Sequence, residues 1–200
     1  MYKLKEINYN NTSFLDEETI RYHRILHKRY LDNLNKLLIK NNYDFKDKKE
    51  DLVNNLEIFY IEDRGDILFN LGGVINHDIY FSNINPSNIN VKNNDILNKI
   101  NLKYGTFSNF KNIFREEALK LVGSGYTFLV LDKNNDLKII LLPNQETPIA
   151  YGFKPLIALD LWEHAYYLQY NVKKTDYIDN FLDNLNLNEI NSIYLDYISK

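Results

Sequence analysis

Four histidines and no cysteine decide where this 200-residue chain could hold a metal or move a proton. Without thiols it can build no disulfide, thiolate zinc site, iron–sulfur cluster or cysteine nucleophile. Asp160 and His164 stand four apart in Pro155-Leu-Ile-Ala-Leu-Asp160-Leu-Trp162-Glu163-His164-Ala-Tyr-Tyr167, where an apolar run feeds directly into a carboxylate. A carboxylate and an imidazole at that spacing can point into one small volume, and both ligate first-row transition metals. His23, His27 and Tyr30 fall at i, i+4 and i+7 on one narrow helical stripe. That stripe reads either as structural or as the wall of a polar pocket. Its spacing, His-Arg-Ile-Leu-His, lacks the Glu of a zincin helix and so the base of a metalloprotease. His77 follows a glycine pair in Gly72-Gly73-Val-Ile-Asn76-His77. Gln145, read alone, is a surface turn residue.

The elements that must position these groups follow from periodicity and punctuation. Asn11-Thr12-Ser13 before Leu15-Asp16-Glu17-Glu18 signals a helix start. A helix is expected from about Asp16 to Lys40, with Ile20, His23, His27, Tyr30, Leu34 and Leu37 near a helical period. A less regular helix is expected from Leu52 to about Asn70, punctuated by Gly72-Gly73, and another from Val74 to about Phe81. Pro86 to Asn94 is polar, Asn-rich and aperiodic. It divides a helical lobe, 1–86, from a second lobe, 95–200, with 87–94 as linker. In the second lobe Ile96–Tyr104 and Phe107–Val122 read as helices, the latter opened by Thr106 or Ser108. Tyr126–Leu131 and Leu137–Leu142 read as an antiparallel pair across the turn Lys133–Asp136, and Pro155–Leu159 as a third strand delivering Asp160. Tyr177–Leu185 and Leu187–Ile198 close the chain as helices. The expected class is α+β: a helical lobe, then a three-stranded antiparallel sheet flanked by helices.

Net charge is −3 and no basic face emerges, which argues against nucleic acid as a partner. No apolar run approaches the roughly 20 residues of a membrane span. The N-terminus, Met1-Tyr-Lys-Leu-Lys-Glu, has no apolar stretch of signal-peptide length, so a cytoplasmic protein is expected.

Taken together the motifs resemble the iron/manganese superoxide dismutases. Asp160-x-Trp162-Glu163-His164-Ala-Tyr-Tyr167 resembles the signature of that family. Gly72-Gly73-x-x-Asn76-His77 and Glu18-Thr-Ile-Arg-Tyr-His23 resemble its other ligand motifs. Gly105-Thr-Phe-Ser-Asn-Phe-Lys, Gly123-Ser-Gly-Tyr126 and Asn144-Gln145-Glu-Thr-Pro148 continue the likeness in order along the chain. The resemblance implies one Mn or Fe ion per subunit, held by His23, His77, Asp160 and His164, that disproportionates superoxide to O2 and H2O2 by ping-pong redox cycling. It implies that Tyr30 and His27 line the entrance and supply protons, and that Gln145 sets the properties of solvent at the metal. Trp162, Tyr126 and Asn76 would surround the ligands. Gln145 from the hairpin, with Gly73 at the alternative position, resembles the manganese type, so Mn is favoured over Fe. Glu163 and Tyr167 would reach His164 and His27 of a second copy, implying a homodimer. Lys28, Arg29, Lys173 and Lys174 are candidates for a rim that attracts the superoxide anion.

The chain also departs from the family pattern. Tyr30 follows His23 by seven residues where the family usually has eight. An extra helical residue is commonly housed as a π-bulge, so a plain α-helix is expected here; in a different register Leu31 would replace Tyr30 in the pocket. Phe81 and Tyr126 stand where the family has Trp, Val74 stands where His is frequent, and a buried Tyr126 hydroxyl would need a partner. Two further readings remain: a divergent family member that binds metal but turns over weakly, and a non-catalytic helical interaction protein whose histidines are structural.

Overall fold

The computed structural model describes residues 1–6, 12–84 and 94–199. The first lobe is an antiparallel helix pair. Helix α1, Glu17–Lys40, is capped by Asp16, whose Oδ1 accepts from Thr19 N at 2.7 Å. The cap is therefore Asp16 and not the upstream Thr12-Ser13; Thr12 Oγ1 instead accepts from Phe14 N at 3.2 Å. Asn11 lies outside the described residues. Helix α1 is α-helical without a π turn throughout, as the seven-residue spacing of His23 and Tyr30 predicts.

The expected helix from Leu52 to Asn70 does not form as such. A single turn, α2 (Lys49–Leu52), and two 3-10 turns (Leu56–Ile58, Ile61–Asp63) precede helix α3, Arg64–Ser82. Nor do Gly72 and Gly73 interrupt α3. Both are sites of close approach: a Cβ on Gly72 would sit 1.8 Å from the Gln145 carbonyl oxygen, and one on Gly73 2.5 Å from the Tyr30 ring. The glycines lie inside the helix because other parts of the protein press against it, not because it ends there.

Leu31, Leu34 and Leu38 of α1 pack on Ile67, Leu71, Val74 and Ile75 of α3, with Leu52 and Phe59 from the connection. The far end of this pair is fastened by the buried carboxylate of Asp63, which accepts from Lys40 Nζ at 2.6 Å and Asn41 Nδ2 at 2.8 Å.

The second lobe runs α4 (Asp95–Tyr104), α5 (Phe107–Leu119), β1 (Gly125–Leu131), β2 (Leu137–Pro143), β3 (Lys154–Asp160), α6 (Glu163–Tyr170), α7 (Lys174–Asp183) and α8 (Leu187–Ile198). Thr106 caps α5, accepting from Asn109 N at 3.0 Å. The sheet is antiparallel in the order β2-β1-β3, with the long apolar strand β1 in the middle and buried along its length. Register pairs Tyr126 with Asp160 across β1 and β3, and a shift between Leu129 and Val130 bends the ladder. The linker expected at 87–94 lies, apart from Asn94, outside the described residues.

One residue docks the lobes where it matters. Asn83, fully buried just past α3, donates from Nδ2 to Leu156 O at 3.1 Å and accepts at Oδ1 from Ala158 N at 2.9 Å. Its amide continues the ladder beyond β3. The C-terminal end of α3, which bears His77, is thereby held against the strand that ends in Asp160. Among the described residues no helix is long and apolar enough to cross a membrane.

Candidate metal centre

His23, His77, Asp160 and His164 come from α1, α3, the end of β3 and the first turn of α6. One potential ligand atom from each lies within 4.8 Å of the others. The Nε2 atoms of His23, His164 and His77 stand 3.2, 3.4 and 3.6 Å from a single oxygen, Asp160 Oδ2. Donors about 2.0–2.2 Å from a common ion, at angles between 90° and 120°, would be separated by about 3–3.6 Å. Three nitrogens and a carboxylate oxygen are a donor set suited to Mn, Fe or Zn.

Neighbouring groups aim these atoms inward. His77 Nδ1 lies 2.6 Å from Gly73 O. A carbonyl only accepts, so Nδ1 carries the proton and Nε2 presents a bare lone pair. The Nε2 atoms of His77 and His164 are buried and have no hydrogen-bond partner of their own, which is costly unless something else occupies them. Asp160 Oδ1 accepts from Trp162 N at 2.9 Å, leaving Oδ2 for the centre. The Tyr177 hydroxyl holds the Asp160 carbonyl at 2.8 Å.

Protonation agrees with this geometry. Burial pushes His23 down to about 4, against some opposition from the Asp160 charge. Burial and the neighbouring His23 hold His77 well below its ordinary value. Burial alone would raise the carboxyl of Asp160, but His164 and His23 outweigh it and keep it far below the usual carboxylate range. His23, His77 and Asp160 are thus already in the deprotonated form a cation requires.

Comparisons with known proteins agree with the motifs. Residues 1–85 match the family described as iron/manganese superoxide dismutases, alpha-hairpin domain, and residues 92–193 match the C-terminal domain of the same family. The chain belongs to the iron/manganese superoxide dismutase family. A relative named superoxide dismutase [Mn/Fe] from Rickettsia conorii is 36% identical over 190 residues, covering 91% of this chain and 87% of the relative. One of the same name from Rickettsia bellii is 37% identical over 192 residues, with 92% and 88% covered. A superoxide dismutase [Mn] from Listeria innocua is 32% identical over 194 residues, with 95% and 96% covered.

The residues around this four-residue cluster fall into two groups. In the first group Gln145, buried on the loop after β2, donates from Nε2 to the Tyr30 hydroxyl at 3.1 Å. The Tyr30 ring lies 5.4 Å from that of His77, while Leu31 packs in the first-lobe core, so the register that would exchange them does not occur. Burial raises the Tyr30 pKa. Asn76 ties α3 to the same loop, its Nδ2 donating to Glu146 O at 2.9 Å. The buried Tyr126 hydroxyl is 3.3 Å from the protonated His77 Nδ1, from which it can only accept. Trp162 stacks on His164 with centroids 5.7 Å apart and donates from Nε1 to Asn144 O at 3.1 Å.

In the second group His27 is fully buried, its ring stacked on His77 at 5.2 Å and on Phe81 at 5.7 Å. Its nitrogens face Arg24 Nη1 at 3.0 Å and Asp78 Oδ1 at 3.3 Å. Sequence reasoning missed both partners. The one available signal was an acidic residue directly after His77. Glu163 and Tyr167 are exposed on α6. Of the expected rim cations, Lys28 is exposed but paired with Asp32.

Proposed function

We propose that this chain is a superoxide dismutase in which His23, His77, Asp160 and His164 hold one manganese or iron ion per subunit, with manganese favoured. The observation that carries this reading is the aim of three imidazole nitrogens at one carboxylate oxygen, two of them buried with no other partner. Bound there, the ion would supply one-electron redox chemistry, so that one superoxide leaves as O2 and the next as H2O2.

The chain's own side chains do the remaining work. Gln145 orients the Tyr30 hydroxyl at 3.1 Å. Burial keeps that hydroxyl protonated through neutral pH, and it delivers one of the two protons that the second half-reaction consumes, the other coming from solvent. Gln145 stands where its amide adjusts the basicity of solvent beside the ligands. Its origin in the hairpin, with Gly73 at the alternative position, is the basis for preferring manganese. Phe81, His27 and Tyr126 exclude bulk water from the ligand atoms. His164 is the one member of the set whose side chain keeps partial exposure, 20%, and Glu163 and Tyr167 stand exposed beside it. A second copy covering this face would seal the site, which supports a homodimer.

Elemental analysis of the purified protein, followed by superoxide consumption after reconstitution with Mn or Fe, tests the reading. His77→Ala and Asp160→Ala are each expected to lose metal and activity together. Full activity in either variant, or no activity in the loaded wild type, would overturn it. Glu163→Ala is expected to weaken the dimer in sedimentation experiments.

A further inference from the structure

His27 has a charged side chain facing each ring nitrogen, and the chemistry of the two fixes where its proton sits. Nδ1 lies 3.0 Å from Nη1 of Arg24, one turn back on α1. A guanidinium can only donate, so Nδ1 must present its lone pair. The proton of the neutral ring is then on Nε2, which faces Asp78 Oδ1 at 3.3 Å, somewhat off a straight hydrogen bond. A carboxylate oxygen accepts, so each partner demands the same tautomer. Asp78 is itself held from a third element: its Oδ2 lies 3.1 Å from Nζ of Lys49 on α2. Arg24 is braced over the Phe81 ring at 5.2 Å and donates from Nη2 to Lys5 O at 3.3 Å. Four side chains from three helices thus form the line Arg24–His27–Asp78–Lys49, running from the ring stacked on His77 to a cleft of about 370 Å³ lined by Lys49, Glu50 and Asp78.

We infer that Arg24 and Asp78 are positioning residues that hold His27 as its Nε2–H tautomer, with its ring fixed over His77. The importance of that ring to catalysis rests on the function proposed above; the tautomer itself does not. A proton relay through an imidazole enters at the bare nitrogen and leaves from the other. Here the bare nitrogen is covered by a cation, so entry requires Arg24 to move first. That leaves Tyr30, whose ring also lies against His77 at 5.4 Å, as the proton donor beside the centre.

The test is a two-bond 15N–1H correlation spectrum of the histidine side chains, recorded on the full-length protein both metal-free and loaded with diamagnetic zinc. The expected result for His27 is a single tautomer, with a protonated Nε2 and a bare Nδ1 well separated in nitrogen shift. Arg24→Leu should draw the two resonances toward each other as the tautomers mix, and Arg24→Lys, which keeps a donor, should restore the separation. Asp78→Ala should likewise mix them. A wild-type His27 protonated at Nδ1, or already mixed, overturns the inference, and that result is readable even if a variant fails to fold. Absence of superoxide consumption by the Mn- or Fe-loaded wild type would overturn the proposed function and leave the tautomer result standing.

Discussion

Gly72→Ala isolates the contact on which the hairpin side of the centre depends. In the middle of a helix, alanine is intrinsically favoured over glycine by about 1 kcal/mol. At Gly72 the new Cβ would lie 1.8 Å from the Gln145 carbonyl oxygen and 3.0 Å from its carbonyl carbon. Ordinary contact is 3.4 Å or more, so one partner must retreat by roughly 1.5 Å. Neither can swing away as a flexible side chain would: one is mid-helix backbone in α3, the other loop backbone tied to α3 by Asn76 at 2.9 Å. Overpacking costs about 1–3 kcal/mol, and an approach of 1.8 Å between two backbones belongs in the upper part of that range, about 2–3 kcal/mol, which outweighs the helical gain. Gly65, in the first turn of the same helix with nothing within 4 Å of its Cβ position, is the internal control. Urea unfolding of both variants should therefore give opposite signs, with Gly65→Ala neutral or more stable by up to about 1 kcal/mol and Gly72→Ala less stable by about 1–2 kcal/mol. The same displacement carries the Gln145 side chain from the Tyr30 hydroxyl. Gly72→Ala should thus also lower the activity of the metal-loaded protein while the four-residue cluster still binds metal. A Gly72→Ala variant as stable as the wild type would refute the close-approach argument.

Acid should destabilise the metal-free protein in two stages. Burial holds His23 at about 4 against an ordinary 6.5, so as pH falls between those values the unfolded chain takes up a proton that the folded site refuses. At about 1.36 kcal/mol per pH unit this removes about 3 kcal/mol for His23, and His77 adds loss of the same sign. Below about pH 4 the depressed Asp160 continues the trend, because its unfolded carboxyl protonates first. Urea midpoints at pH 7 and pH 4.5 check this, and equal midpoints would contradict it. Asn83→Ala should cost about 2–4 kcal/mol, since it removes two buried bonds to β3; loss of hydrogen-exchange protection at the Ala158 amide is the local readout. Tyr126→Phe should lose about 1 kcal/mol and keep its metal, because the hydroxyl touches His77 at Nδ1 and not at the nitrogen facing the centre; metal content and thermal unfolding measure both.

The parts of this molecule that were legible in the sequence are those in which one residue's surroundings are set by its own element. Strand β1 is apolar on both faces because it is central in the sheet, and Tyr126–Leu131 carries that signal without help. Helix α1 carries it in the spacing of Ile20, His23, His27 and Leu34, and its plain α geometry followed from counting seven residues between His23 and Tyr30. Where an environment is made by another part of the chain, local reading misled. Gly72 and Gly73 look like a helix end because glycine usually is one; here they are packing surfaces for Gln145 and Tyr30, and only the fold brings those residues near. Gln145 looked like a turn residue on its own and is buried for the same reason. Arg24 and Asp78 carry no signal of their own in the sequence beyond standing next to His23 and His77. Their importance comes from the crossing of α1 and α3, which sets a donor on one side of the His27 ring and an acceptor on the other. The four residues that cluster could be named early because three of them are among only four histidines and Asp160 stands in a specific motif with the last of these. The residues that orient them are common types, and their roles follow from contacts up to 115 positions apart in the chain. Such contacts bind the two lobes into one site, so variants at Gly72, Asn83 and Asp78 should disturb the centre without touching a metal-facing atom.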